Sequence, residues 1–369
     1  MSGYLLSTIV GILYWFYYRE DIYDYSYFSM IYYIVCLVIF LVPLLKNTGG
    51  SESFSFPRQT SKIISCILIA LGLISLFFEL KDFNLSELMV NWLAARNEYY
   101  SDYGNFEIAT SLSERISSNI KPLMFMCWPL AMYQLSRGKN KTLCILLIIV
   151  SCSSLFSSLK IAERQGLILY MANILFSYLI FKNEFSKKVR KKILSFSVII
   201  LGALITLIGA ITLSRFGEDD SSLIESLANY SGVQSFNAAY FLEELHTQAL
   251  GGKLNFPFLT GSPMILILND EINSSEYLNV FGSIVGSYYL DFGYYSIFVI
   301  VLVSTLFMVL MKSLKKKRTL LYFYVYCLYF NMMFIGIFYN KYNSPPHIRN
   351  LILLGIFILV LENILRSKK

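Results

Sequence analysis

Two arginines stand beside long apolar runs of this 369-residue chain, where a cationic side chain is uncommon. Arg164 follows Lys160 and Glu163 in SSLKIAERQGLILYMAN, and Arg215 lies in ITLSRFGEDD, directly ahead of an acidic patch. A guanidinium group can bind a phosphate through two parallel hydrogen bonds. It can also simply reach the lipid headgroups at the end of a membrane helix. Residue type leaves both interpretations open for Arg164 and favours the headgroup anchor for Arg215.

A third arginine occurs with a histidine in the segment NKYNSPPHIRN, residues 340–350. Lys341, His347 and Arg349 surround the pair Pro345–Pro346, which stiffens the turn. An imidazole beside an arginine can act as a general base or a hydrogen-bond donor next to a bound anion. The alternative is that these cations contact lipid headgroups.

One carboxylate, Asp291, lies in the aromatic stretch GSYYLDFGYYS, residues 286–296, where an apolar run begins. An aspartate at such a position is often a helix N-cap that accepts backbone N–H bonds and complements the helix dipole. The other interpretation is a carboxylate that orients or deprotonates a substrate hydroxyl. Both interpretations stay open.

The amino-acid composition indicates the class of protein in which these residues lie. Hydrophobic residues make up 56% of the chain, charged residues 15%, and the mean hydropathy is +0.56, whereas soluble proteins carry about 25% charged residues. The 28 Tyr and 29 Phe suit membrane interfaces. We therefore expect an all-α polytopic integral membrane protein with one membrane domain over residues 1–369. The first apolar run lacks the features of a cleaved signal peptide, so it is expected to remain as the first span.

Ten stretches are predicted to cross the bilayer, which takes about 20 mostly apolar residues. The predicted spans are 3–18, 28–45, 62–80, 121–136, 142–159, 166–182, 194–213, 292–311, 319–340 and 350–365. Two connections on the outer side are long, 81–120 and 214–285, and contain apolar residues at helical spacing. This spacing predicts short interfacial helices in both loops.

Basic residues collect in alternate connections. The segments 46–62, 137–141, 182–192 and 312–318, with the C-terminal tail, hold 20 of the 31 basic residues and three of the 24 acidic ones. The positive-inside rule places these segments and both termini in the cytoplasm. The net charge of +7 is therefore a topology signal and does not predict nucleic-acid binding.

Sequence patterns of nucleotide and metal sites are absent. The chain has no GxxxxGK[ST], no CxxC pair and no HExxH, and its two histidines are about a hundred residues apart. Neither a metal nor another cofactor is expected. The six cysteines all lie in apolar runs and are interpreted as packing residues. Charged residues within the spans are rare, which disfavours an ion-coupled transporter.

Two stretches of the second half carry a family pattern. FNAAYFLEELHTQALGGKLNFPFLTGSPMIL (236–266) contains a glycine pair followed by phenylalanine, and NVFGSIVGSYYLDFGYYSIFVIVLVSTLFMVLM (279–311) contains YYLDFG at the entrance to a span. In these features the chain resembles bacterial O-antigen, or oligosaccharide repeat-unit, polymerases of the Wzy type. ERQGLIL, residues 163–169, also looks like the Arg-led start of a span in that family. The matching positions are Gly251, Gly252, Phe256, Tyr288, Tyr289, Asp291, Phe292 and Gly293.

The resemblance implies a glycosyltransferase of GT-C-like architecture in the bacterial inner (cytoplasmic) membrane, with its active site facing the periplasm. Such an enzyme takes a growing glycan from undecaprenyl pyrophosphate and transfers it to the terminal sugar of a new lipid-linked repeat unit. The expected partners are undecaprenyl-pyrophosphate-linked glycans, membrane lipids and a chain-length regulator protein, and no nucleic acid.

Site roles are assigned from the chemistry of this implied reaction. Fixed cations would stabilise the charge that develops on the pyrophosphate, a role we assign to Arg164, Arg215 and Arg349. Asp291 and His347 are the competing candidates for accepting the proton of the acceptor hydroxyl. The alternative functions are an O-antigen ligase, a lipid-linked oligosaccharide flippase or transporter, and a non-catalytic assembly partner.

Overall fold

The computed structural model describes residues 9, 12–13, 27–47, 58–81, 83, 112–138, 140–160, 164–216, 242–243, 250–256, 283–317, 319–336 and 345–367. Within these ranges the chain is helical and contains no strand. The first half forms α1 (Tyr27–Asn47), α2 (Arg58–Lys81), α3 (Leu112–Ile120), a 3₁₀ helix (Lys121–Met126) and α4 (Cys127–Ser136). It continues with α5 (Lys141–Lys160), α6 (Arg164–Phe181) and α7 (Lys187–Phe216). The second half forms α8 (Ser283–Phe292), a 3₁₀ turn (Gly293–Tyr295), α9 (Ser296–Lys317), α10 (Leu320–Gly336) and α11 (Pro345–Ser367).

The prediction of an all-α chain with several apolar helices is confirmed. In the described part, six helical segments are long and apolar enough to cross a membrane. These segments are Tyr27–Lys46, Gln59–Lys81, Lys141–Lys160, Lys187–Gly209, Ser283–Lys315 and His347–Leu365. Ten spans and two cytoplasmic termini stay predictions. Most of the predicted span 3–18, residues 84–111 and most of the loop 214–285 lie outside the described residues.

The helices group into two compact units, each described by itself. The first unit comprises residues 1–50, 221–317 and 332–349. In it α9 packs along α1, and α8 packs on both helices. The hydroxyl groups of Tyr32 and Ser296 lie 2.6 Å apart at the buried contact of α1 with α9, and the ring of Phe40 meets that of Tyr288 edge-on at 5.4 Å. These contacts hold α8 against the long apolar helices.

The second unit comprises residues 51–220, 318–331 and 350–369. Here α5 packs against α2, α4 and α6. A pair of buried amides joins α6 to α10: the Nδ2 groups of Asn173 and Asn331 each donate to the other's Oδ1 at 3.0 Å. Beside this pair the rings of Phe176 and Phe330 stack at 3.7 Å. Reciprocal amide bonds of this kind stabilise membrane helix pairs by about 0.6–2 kcal/mol.

A glycine sets the distance between α2 and α5. A Cβ atom at Gly72 would lie 2.6 Å from Val150 Cβ and 3.1 Å from Met124 Sδ. Such a clash would force the helices apart, since a tightly packed helix interface cannot accept an added methyl group without moving.

Gly72→Ala is therefore expected to lower the stability of the protein by about 1–2 kcal/mol, because the overpacking outweighs the gain of roughly 1 kcal/mol in helix propensity. Gly202→Ala is the matched control, since a Cβ atom there meets no other atom within 4 Å. That variant should be neutral or slightly stabilising. Thermal unfolding of the purified protein in detergent measures both, and equal melting temperatures for the two variants would contradict the close contact.

Candidate functional site

Asp291 lies inside α8 and is fully buried, with 0% of its surface exposed. Its Oδ1 accepts the backbone N–H of Leu254 at 3.0 Å. Its Oδ2 accepts the backbone N–H of Asn255 at 2.7 Å and the side-chain N–H of the same residue at 2.6 Å. The N-cap interpretation is therefore wrong, because α8 begins eight residues earlier, at Ser283, and the carboxylate binds a distant segment.

That segment, residues 250–256, is called the docked turn below. Its backbone also contacts the C-terminal end of α8: Leu250 N–H donates to Leu290 O at 3.1 Å, and Gly251 N–H donates to Asp291 O at 2.9 Å. The last carbonyl groups of a helix have no partner within the helix, so the docked turn satisfies two of them. The end of α8 and the docked turn thus complete each other's hydrogen bonding.

Asn255 provides the second half of this contact. Besides its bonds to Asp291, its Nδ2 donates to Ser287 O at 2.8 Å, and its Oδ1 accepts the Ser287 hydroxyl at 2.9 Å. The amide group is therefore held at both ends, and its position fixes the orientation of the turn. Buried polar networks in which all these groups are paired are rigid.

The glycines of the turn have a conformational reason. Gly251 and Gly252 adopt positive φ angles of 64° and 90°, a region that residues with a Cβ atom rarely enter. A Cβ atom at Gly252 would also lie 3.5 Å from the rings of Phe256 and Phe292. The glycine pair allows the backbone to curl so that the N–H groups of the turn point at the carboxylate.

Aromatic rings close the contact on one side. The ring centroid of Phe256 in the docked turn lies 6.1 Å from that of Tyr288, edge-on, and 6.2 Å from that of Phe292. The ring centroids of Tyr288 and Phe292 are 6.3 Å apart. Such ring pairs add about 0.5–1.5 kcal/mol each beyond their buried area. The glycine pair and phenylalanine of the first stretch, and the tyrosine, aspartate and phenylalanine of the second, therefore form a single site.

These contacts limit the chemistry that the Asp291 carboxylate can perform. Both of its oxygens face N–H donors of the docked turn, and it has no exposed surface. A substrate hydroxyl could reach it only if the turn left α8. The arrangement favours a positioning role, in which Asp291 holds the docked turn in place.

His347 and Arg349 both lie on the first turns of α11. His347 is half-buried and Arg349 is exposed. Residues two positions apart point to different sides of a helix. The histidine and the arginine therefore do not face one common anion along this helix, although each remains a candidate by itself.

The side chains of Arg164 and Arg215 lie outside the described part of the structure, but their backbones are placed. Arg164 is the first residue of α6, and Arg215 is the last but one of α7. The turn after Phe181 joins the end of α6 to the start of α7 at Lys187. At a rise of 1.5 Å per residue, Arg164 lies about 26 Å from the α6 end of this turn, and Arg215 lies about 42 Å from its α7 end. The two arginines thus differ by roughly 16 Å in height along straight helices.

A second charged site was missed in the sequence. Glu79, in the last turn of α2, is only 5% exposed. Its Oε1 lies 2.8 Å from Lys121 Nζ and accepts the Ser117 hydroxyl at 2.6 Å. Its Oε2 lies 3.9 Å from Nζ of Lys160, the last residue of α5.

Hydroxyl groups surround these charges. The Ser75 and Ser117 hydroxyl oxygens are 2.9 Å apart, and Lys121 Nζ donates to the Ser157 hydroxyl. The six residues Ser75, Glu79, Ser117, Lys121, Ser157 and Lys160 are called the Glu79 cluster below. The residues of the Glu79 cluster come from three separate segments of the chain, so no single stretch of sequence reveals the cluster. The only local signal was the carboxylate of Glu79 within the last turn of the predicted span 62–80.

The meeting of Glu79 and Lys160 shows that α2 and α5 end on the same side of the second unit. This agrees with the alternation predicted for these two spans, and the assignment of that side to the periplasm stays a prediction.

Among the described residues, no group of three or more His, Cys, Asp or Glu could hold a metal ion. Comparison with protein-family models, curated proteins and solved structures finds no match for the chain.

Proposed function

We propose that this chain is an O-antigen polymerase, which joins undecaprenyl-pyrophosphate-linked oligosaccharide repeat units at the periplasmic face of the inner membrane. The observation that carries the proposal is the docked turn. The matching positions of the two stretches are at least 32 residues apart in sequence, yet the backbones of Leu254 and Asn255 donate to the Asp291 carboxylate, and the ring of Phe256 meets that of Phe292 at 6.2 Å. The pattern is thus one physical unit, which anchors residues 250–256 of the loop 214–285 on α8.

The proposed reaction is a glycosyl transfer. The acceptor hydroxyl oxygen of one repeat unit attacks the anomeric carbon of the growing glycan, and the bond from that carbon to the pyrophosphate oxygen breaks. Undecaprenyl pyrophosphate leaves with the bonding electron pair, and the hydroxyl proton passes to a base. Negative charge grows on the leaving group, so cationic side chains lower the barrier.

The roles of the charged residues follow from their surroundings. Arg164, at the start of α6, is our first candidate for binding the pyrophosphate, followed by Arg215 and the exposed Arg349. Because the carboxylate of Asp291 is occupied by the docked turn, we assign the proton to His347 and give Asp291 a positioning role. His347 is half-buried.

Deleting the gene in a smooth strain tests the proposal against its alternatives. Loss of a polymerase leaves lipopolysaccharide capped with one repeat unit, which gel electrophoresis separates from the full ladder. Loss of a ligase leaves bare core with lipid-linked polymer accumulating, and loss of a flippase leaves repeat units stranded on the cytoplasmic side. An unchanged ladder would contradict all three.

Arg164→Ala is expected to abolish polymerisation, with at least a roughly hundredfold loss of rate, because one fixed cation at a developing oxyanion contributes that much. Arg164→Lys should restore part of the activity, since an ammonium group keeps the charge but not the two parallel hydrogen bonds. Arg190→Ala is the control: this arginine lies at the opposite end of the helices, with Nε donating to Tyr178 Oη at 3.2 Å. The measurement is the ladder formed by each variant in the deletion strain at equal membrane abundance. Wild-type chain lengths with Arg164→Ala would rule out its role.

A further inference from the structure

The Glu79 cluster holds two cations beside one buried anion. Nζ of Lys121 and Nζ of Lys160 lie within 4 Å of the two oxygens of a single carboxylate, which brings the two ammonium groups within about 9 Å of each other, since carboxylate oxygens are about 2.2 Å apart. One carboxylate balances one ammonium group, so these three groups retain a single positive charge.

Both lysine side chains are partly exposed. The Lys121 and Lys160 side chains are 28% and 24% exposed, whereas that of Glu79 is 6% exposed. An ammonium group has three N–H donors, and Glu79 and Ser157 take two of those of Lys121. The carboxylate therefore holds both lysines from the buried side, and both lysine side chains keep part of their surface exposed.

The depth of the cluster indicates the kind of molecule that meets it. The apolar segments Gln59–Lys81 and Lys141–Lys160 are long enough to cross a membrane, with 23 and 20 residues. Glu79 lies two residues before the end of the first segment, and Lys160 ends the second. The end of a span lies where the hydrocarbon core gives way to the headgroups, and lysine side chains reach lipid phosphates there.

We propose that Lys121 and Lys160, fixed by Glu79, bind the phosphodiester group of an anionic phospholipid. The residual charge of the cluster matches the single negative charge of a phosphodiester, whereas a pyrophosphate carries more negative charge than this cluster balances. The ligand is thus a structural lipid at the end of α2 and α5. The site is independent of the proposed glycosyl transfer and uses none of its residues.

Native mass spectrometry of the full-length protein in a neutral detergent tests this site. The probes are dioctanoyl phosphatidylglycerol, dioctanoylglycerol without a phosphate, farnesyl pyrophosphate and inorganic phosphate. We expect phosphatidylglycerol to bind the wild-type protein more tightly than the other three probes. Lys160→Gln should raise its Kd about tenfold, the effect of losing one charge-assisted hydrogen bond.

Lys141→Gln is the matched control, because this exposed lysine begins the same helix and the substitution removes the same charge. It should leave the Kd unchanged, and melting temperatures verify that both variants are folded. Equal Kd values for wild type and Lys160→Gln, or equal weakening by Lys141→Gln, would overturn the site. Tighter Lys160-dependent binding of farnesyl pyrophosphate would overturn the phosphodiester assignment. Inorganic phosphate or dioctanoylglycerol binding as tightly as phosphatidylglycerol would overturn the assignment to a phospholipid. None of these outcomes depends on polymerisation.

Discussion

Replacing Asp291 with alanine is expected to release the docked turn from α8. The substitution removes the acceptor for three N–H groups, two from the backbone of Leu254 and Asn255 and one from the Asn255 side chain. A hydrogen bond to a charged group contributes about 1.5–3 kcal/mol, and the three are not additive because they share one network. We expect opening of the turn to become easier by about 3–5 kcal/mol.

Hydrogen exchange followed by mass spectrometry measures this opening directly. A change of 3 kcal/mol corresponds to roughly a hundredfold faster exchange of the amides of residues 250–256. Ser287→Ala is the control, since it removes a hydroxyl that contacts Asn255 Oδ1 and Ile284 O but leaves every bond to the Asp291 carboxylate in place. It should accelerate exchange by less than about tenfold. Unchanged exchange in Asp291→Ala would show that the turn is held by other contacts.

The same site separates a positioning role from a proton-accepting one. Asn255→Ala keeps the Asp291 carboxylate but removes the amide that contacts both Asp291 and Ser287. If Asp291 positions the loop, Asn255→Ala and Asp291→Asn should both shorten the polysaccharide made in the deletion strain. If Asp291 instead accepts the proton, only Asp291→Asn should shorten the polysaccharide, and Asn255→Ala should leave its length unchanged.

Glu79→Ala is expected to destabilise the second unit by about 2–4 kcal/mol. The substitution leaves the ammonium groups of Lys121 and Lys160 beside each other without their shared carboxylate, and it leaves the Ser117 hydroxyl without its acceptor. Removing one partner of a buried ion pair costs about 3–5 kcal/mol, and we take a lower value because both lysines are partly exposed. Thermal unfolding of the full-length protein in detergent measures the loss.

The control for this prediction is Glu184→Gln. Glu184 lies 3.9 Å from Arg137, and these side chains are 19% and 36% exposed, so the pair should contribute less than about 1 kcal/mol. Adding Lys160→Gln to Glu79→Ala should recover part of the stability, because it removes one of the two cations left facing each other. Equal melting temperatures for Glu79→Ala and Glu184→Gln would contradict the importance of the buried carboxylate.

Apolar runs predicted most of the described helices because burial in a bilayer leaves little choice of conformation. The predicted span 142–159 corresponds to Lys141–Lys160, and 28–45 to Tyr27–Asn47. The predicted span 292–311 starts next to the turn Gly293–Tyr295, where Gly293 has a φ of 56°, and α9 follows from Ser296. The separate helix α8 before this break, Ser283–Phe292, was not predicted. Hydropathy does not reveal such a break, because the interruption depends on a backbone angle within an apolar run.

The loop 81–120 contains a short helix, as predicted, at Leu112–Ile120. Its role was not predicted, because the contact of Ser117 with Glu79 joins residues 38 positions apart. The partners of Asp291 are likewise 36 and 37 positions away. Local patterns indicate a glycine-rich turn, but they do not indicate which carboxylate the turn will bind.

We propose that this protein joins lipid-linked repeat units into polymer. Reconstitution tests this activity, with the purified full-length protein placed in proteoliposomes together with the lipid-linked oligosaccharide extracted from the deletion strain. Electrophoresis and mass spectrometry then follow the glycan length and the release of undecaprenyl pyrophosphate. We predict that wild-type protein lengthens the glycan and releases one undecaprenyl pyrophosphate per added linkage, whereas Arg164→Ala does neither. Single repeat units that stay unjoined with active wild-type protein, or that only change sides of the bilayer, would contradict the account.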